Sequence, residues 1–92
     1  MARVILTRHL FQFFPHLEGE DIVLDGETVA DVVASLEGVA PGIRFYICDE
    51  RGRLRTHVNV FVDEERIRDR TQLSDPVAPN GVVHILQALS GG

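Results

Sequence analysis

Val82-Val83-His84-Ile85-Leu86-Gln87-Ala88-Leu89-Ser90-Gly91-Gly92 is an apolar run that finishes in two glycines. It follows Asn80-Gly81, a pair that favours a tight turn, and its β-branched start reads as a buried strand. Val83 and Ile85 alternate with His84 and Leu86, which turns the first pair inward and the second toward solvent or a partner. Glycine has no Cβ, so a strand running out into Gly91-Gly92 would offer a free α-carboxylate on a thread slim enough for a narrow channel. That carboxylate is the candidate site of chemistry. The competing reading is an end that simply frays.

Working outward, residues 3–9 alternate well enough for a first strand, with Val4 and Leu6 inward and Ile5 and Thr7 on the other face. Pro15 stops it. The phenylalanines of Leu10-Phe11-Gln12-Phe13-Phe14 read as a cap on one end of the core, the alternative being an exposed docking patch. A turn at residues 19–21 leads to a short second strand, Ile22-Val23-Leu24. Two strands this close in sequence predict an antiparallel hairpin.

Thr28 is placed to cap a helix, with Asp31 three residues on as a variant of the capping box. Val29, Val32, Val33 and Leu36 then recur at the spacing of one apolar helix face. Gly38 reads as the C-cap, and Pro41-Gly42 as the end of any continuation. Phe45-Tyr46-Ile47-Cys48 reads as a third strand and Asp49-Glu50-Arg51-Gly52 as a turn. Residues 54–62 return as a fourth strand, with Val58, Val60 and Val62 on one face and Asn59 and Phe61 on the other. Asp63-Glu64-Glu65 closes it, and Ile67, Leu73 and Val77 are isolated apolar anchors in a polar stretch.

The expected order is therefore β-β-α-β-β-β, an α+β chain in which a mixed sheet grips one main helix. That is the ubiquitin-like β-grasp layout, with the last strand central beside the first. No linker, repeat or low-complexity segment interrupts it, so residues 1–92 read as a single domain. Exposed Phe61 and Leu86 are expected on one sheet face, and buried Val4, Leu6, Val29, Val33, Val58 and Ile85 behind it.

Composition narrows the function. Hydrophobic content of 45% with 25% charged residues is that of a globular chain rather than a disordered one. A net charge of −5 argues against nucleic acid as the main partner, because phosphate binding needs concentrated positive charge. All nine basic residues are Arg, so only the N-terminus could serve as an amine acceptor. A single cysteine, Cys48, excludes an internal disulfide and reads as a small packing residue. His9, His16, His57 and His84 are scattered, with no pair at ligand spacing. No apolar run approaches membrane-spanning length and no signal pattern opens the chain, so a cytoplasmic location is expected.

Two blocks, Val58-Asn59-Val60-Phe61-Val62-Asp63 and Val83-His84-Ile85-Leu86-Gln87-Ala88-Leu89-Ser90-Gly91-Gly92, resemble the ThiS/MoaD-type ubiquitin-like sulfur carriers. The resemblance covers nearly the whole chain. The segment from Cys48 to Arg55 is similar to the branch holding cysteine-biosynthesis carriers and archaeal small modifiers. Pro79-Asn80-Gly81 and Gln87 depart from the family's usual acidic turn and proline.

The resemblance implies a carrier rather than an enzyme. Its Gly92 carboxylate would be adenylated and then thiolated to a thiocarboxylate, with Gly91 as its thin neighbour. An activating enzyme similar to ubiquitin-activating enzymes would use ATP and Mg²⁺, and the chain itself would hold no cofactor or metal. The implied partners are that adenylating enzyme, a sulfur-donor protein and a sulfur-accepting biosynthetic enzyme, with no nucleic acid and no membrane. Strand alternation and the resemblance together pick Thr7, Phe61, His84 and Leu86 as the docking candidates. Two other readings stay open: a protein modifier joined through Gly92 to target lysines, and a non-covalent β-grasp interaction module.

Overall fold

The computed structural model describes residues 1–87, and in these the last strand is the centre of the sheet. Strands β1 (Ala2–Leu6), β2 (Ile22–Leu24), β3 (Val58–Val62), β4 (Glu65–Arg66) and β5 (Val82–Gln87) lie in the order β2-β1-β5-β3-β4. β5 runs parallel to β1, pairing Leu6 with Ile85, and antiparallel to β3, pairing Val60 with Ile85. β2 and β4 close the edges as antiparallel partners of β1 and β3.

Alternation assigns the faces. Ala2, Val4 and Leu6 of β1, Val58 and Val60 of β3, and Val83 and Ile85 of β5 are all buried on the inner face. Helix α1 (Val29–Val39) supplies Val29, Val32, Val33 and Leu36 to the same core. The expected stripe and strand register are thus both present. The helix is short and rich in valine, so burial of this face rather than intrinsic propensity holds it.

The start of α1 is fully satisfied. Thr28 Oγ1 accepts from the Asp31 N–H at 3.2 Å, and Asp31 Oδ2 accepts from the Glu27 N–H at 3.2 Å, one residue before the position a capping box would use. The N–H groups of Val29 and Ala30 donate to the carbonyls of Asp75 and Leu73. The long segment between β4 and β5 therefore clasps the helix end that would otherwise carry orphan donors. Ile67, Leu73 and Val77 pin that segment to the core as anticipated.

Three expectations give way. Phe45-Tyr46-Ile47-Cys48 does not form a strand; helix α2 (Ile43–Ile47) occupies the place. Ile43 and Ile47, one helical turn apart, are buried, while Phe45 points outward. Gly42 enters the helix at φ 98°, a conformation that glycine adopts without strain. The Glu37 carboxylate then receives the N–H groups of Gly42 and Arg44 at 2.7 and 2.9 Å, and these bonds hold its pKa below the ordinary value. Gly38 is not the C-cap, because α1 continues to Val39 and Ala40 takes that position. The first strand ends at Leu6 rather than residue 9, and the fourth begins at Val58 rather than residue 54. Only an isolated bridge, Cys48 to Leu54, remains of the longer hairpin.

Of the phenylalanines after β1, which fold into short 3-10 turns, Phe14 is buried and Phe13 is 48% exposed. Both expected roles, core cap and surface aromatic, are divided between them. Asp69 shapes the turn after β4. Its carboxylate accepts from the Gln72 N–H, the Ser74 hydroxyl and the Thr71 N–H, and these bonds lower its pKa to about 2.

Because the folded pKa lies below the ordinary 3.8, this stabilisation is complete above that pH and is lost as pH falls toward about 2. Urea midpoints across this window should fall for the native chain. Asp69→Asn should have a lower midpoint at neutral pH and a flatter decline below it.

Candidate functional site

Gly91 and Gly92 lie outside the described residues, so the described part of the site is the root of the tail, ending at Gln87. This root is fixed from both sides. Gln87 pairs with Val58 of β3. On the other flank the Gln87 N–H donates to Thr7 Oγ1 at 2.7 Å, and Thr7 Oγ1 and N–H both donate to the Ile85 carbonyl, at 3.2 and 3.0 Å. β1 has ended at Leu6, so the Thr7 side chain continues the ladder for one more step. At the start of β3, the Arg70 guanidinium donates to the carbonyls of Arg55 and Val58 at 2.8 and 2.9 Å. The last described residue thus stands on a braced platform.

The four docking candidates come to one outer face. His84 is flanked by Ile5 of β1 and by Phe61 of β3, with Arg66 of β4 beyond, forming a row across four strands. Leu86, opposite Asn59, is 41% exposed, as the alternation required. Phe61 is less open than expected: it is half-buried, with the Arg66 guanidinium 5.8 Å from its ring centroid. Thr7 is partly buried, and its hydroxyl is committed to the β5 backbone. Ile5 and Val23 extend the apolar face toward β2.

A second group surrounds the tail root on the α2 side. Phe45, Tyr46, Arg55, His57 and Gln87 line one shallow cleft. Arg55 donates to the Phe45 carbonyl at 2.7 Å, and its guanidinium sits 5.3 Å from the Phe45 ring centroid. Tyr46 stacks on Phe13 at 4.9 Å and meets Phe14 edge-on. The sequence reading missed this cluster because it placed Phe45 on a strand. The available signal was Pro41-Gly42 followed by Ile43 and Ile47 at i, i+4.

Among the described residues no three His, Cys, Asp or Glu side chains are grouped to hold a metal ion. Cys48 is buried, and that burial raises its pKa, so its thiol is poorly suited to attack. No helix among the described residues is long and apolar enough to cross a membrane. What the geometry offers is a rigid base for a short tail, with an apolar sheet face on one side and an aromatic and basic cleft on the other.

A model of the ThiS family matches residues 4–92. The sulfur carrier protein CysO of Mycobacterium tuberculosis is 33% identical over 81 residues, covering 85% of this chain and 87% of the relative. The fold is similar to that in the crystal structure of the Amycolatopsis orientalis BexX/CysO complex, with a TM-score of 0.83, 27% identity and full coverage of both chains. It is also similar to SAMP1 of Haloferax volcanii, with a TM-score of 0.73 and 23% identity over 99% of this chain and 98% of that one. This last likeness is one of fold.

Replacing Thr7 by Val should leave the Gln87 N–H without its acceptor, at a cost of about 1–3 kcal/mol for a partly buried donor. Amide hydrogen exchange should speed up at Gln87 more than at Val83 or Ile85. Thr7→Ser keeps the oxygen and should restore most of the protection.

Proposed function

The chain belongs to the ThiS family, and from this premise we propose that it is a sulfur carrier acting through its C-terminal Gly92. A carboxylate is a poor electrophile because its leaving group would be oxide. In the proposed cycle a Gly92 carboxylate oxygen attacks the α-phosphate of ATP, releasing pyrophosphate and forming an acyl-adenylate. A persulfide sulfur from a donor protein then attacks the acyl carbon and AMP departs. A second thiol cleaves the resulting S–S bond, leaving the thiocarboxylate. This product is ionised at neutral pH and far more nucleophilic than the carboxylate it replaced, for the reason that favours a thiolate over an alkoxide.

ATP and Mg²⁺ belong to the adenylating partner in this reading, and the chain is its co-substrate rather than an enzyme. Dependence on ATP and on a reducing thiol pool fits a cytoplasmic setting. The carrier's part is mechanical and electrostatic: it holds the tail root still, offers faces for recognition, and keeps sulfur tethered. The observation that carries the proposal is the pairing of β5 on both sides, which ends at Gln87, four positions before Gly91 in the sequence. The outer face with Ile5, Phe61, His84 and Leu86 is the docking surface in this scheme, and Thr7 supports it from within. The next partner is an acceptor enzyme that consumes the thiocarboxylate sulfur.

Intact mass spectrometry tests the proposal after incubation with an adenylating enzyme, ATP and a sulfur donor. The native chain should gain the mass difference between sulfur and oxygen. A chain lacking Gly91-Gly92 should gain nothing while keeping its thermal midpoint. Equal labelling of the truncated chain would move the chemistry elsewhere, with Cys48 the first suspect. Joining of the intact chain to a lysine of another protein, with no sulfur gain, would favour the modifier role instead. One added residue at the end displaces the carboxylate by up to ~3.6 Å. Reacting atoms must come within about 3–3.5 Å, so this extension should also abolish labelling.

A further inference from the structure

The two ends of β5 differ sharply in charge. Where β5 begins, the turns after β3 and β2 present Asp63, Glu64, Asp25 and Glu27, while Arg3, opposite Val82, is paired with Asp21. Where β5 ends, Arg8 and His9 follow β1, His57 and Arg55 precede β3, and Arg70 braces the Arg55 and Val58 carbonyls. Glu18 lies among this second group, beside Arg8 and His9. A chain of net charge −5 thus places Arg8, Arg55 and Arg70 at the pole from which the tail leaves.

That pole also carries apolar surface that the fold does not use. Phe45 is 69% exposed although its helix neighbours Ile43 and Ile47 are buried. Its ring carries the Arg55 guanidinium, whose Nε is tied to the Phe45 carbonyl while its two terminal nitrogens have no carboxylate partner among the described residues. Such a guanidinium is held in place and still has donors to spend. His57, on the same cleft, makes no hydrogen bond among the described residues.

We infer that this collar of Phe45, Arg55 and His57 is a second docking surface, fitted to the acidic rim of the channel that receives the tail. The inference rests on the carrier reading given above. Five residues follow Gln87 and reach at most about 18 Å when fully extended. An enzyme that takes the terminal carboxylate into a closed site must therefore bring its channel mouth down onto the tail root. The collar meets that mouth whatever covers the outer sheet face. A rim carrying carboxylates beside an apolar ledge satisfies both the free guanidinium donors and the exposed ring. Rim charges act mainly on encounter and on salt dependence, which makes the surface measurable.

The test uses the full chain and the adenylating enzyme that thiolates it. Arg55→Glu and His57→Glu should each raise KM by about tenfold with kcat little changed, the signature of lost uniform binding. Added salt should raise KM for the native chain and much less for Arg55→Gln. Phe45→Ala should raise KM without altering the salt dependence. Arg68→Glu, the same charge change beyond β4, should behave as native. His57→Glu touches no internal bond among the described residues, so it separates docking from any folding defect of the Arg55 variants. Native KM and salt response in both Glu variants would overturn the collar and leave the carrier reading standing. Failure of the native chain to be thiolated at all would overturn both. Loss of self-association by the Glu variants, with KM unchanged, would assign the collar to a second copy's acidic pole and refute the proposal.

Discussion

β5 is hydrogen-bonded along both edges, and the rest of the fold can be read as the consequence of keeping it so. Its parallel partner β1 must come from the far end of the chain, and parallel neighbours cannot be joined by a tight turn. Everything between them therefore has to be stored on one face of the sheet or at its edges. α1 fills the inner face, β3 occupies the other flank, and the segment after β4 caps the α1 N-terminus on its way back to β5. A strand held this way cannot slip by one residue without turning Val83 and Ile85 outward. The exit point of the tail is thereby fixed relative to the whole core.

Those parts of the fold that rest on periodicity were legible before any coordinates. The α1 stripe and the inward valines of β3 follow from spacing, and the central place of β5 follows from the β-grasp layout that the element order implied. What could not be read is where a short apolar run lies between two periods. Ile43-Arg44-Phe45-Tyr46-Ile47 satisfies a strand by composition and one turn of helix by its two isoleucines. Tertiary context settles it: Glu37 reaches from α1 to cap the new helix, and Gly42 supplies the corner. No local pattern announces a cap that comes from a neighbouring helix. β4 escaped for a related reason, since Asp63 and Glu64 both take positive φ without a glycine to signal it.

The candidate site divides in the same way. The outer face followed from alternation, so Leu86, His84 and Ile5 fall where a period of two puts them. Phe61 departs because the side chain opposite it is an arginine whose length lets it fold over the ring, a detail of pairing rather than of pattern. The role of Thr7 is equally invisible in sequence. It lies one residue past the end of a strand, and only the register of β5 shows that its hydroxyl does the work of a missing backbone partner.

The choice of basic residue also fits the proposed chemistry. All nine are arginine, including those gathered at the tail root. An acyl-adenylate is attacked by any neutral amine within reach, and a lysine near it would yield an amide in place of a thiocarboxylate. Arginine gives the same positive charge on a comparable stem, yet its guanidinium stays protonated at every physiological pH and offers no free electron pair. The proposed collar can therefore be cationic without carrying an amine nucleophile. With lysines at these positions, the same docking charge would come with amines able to compete for an activated carboxyl group.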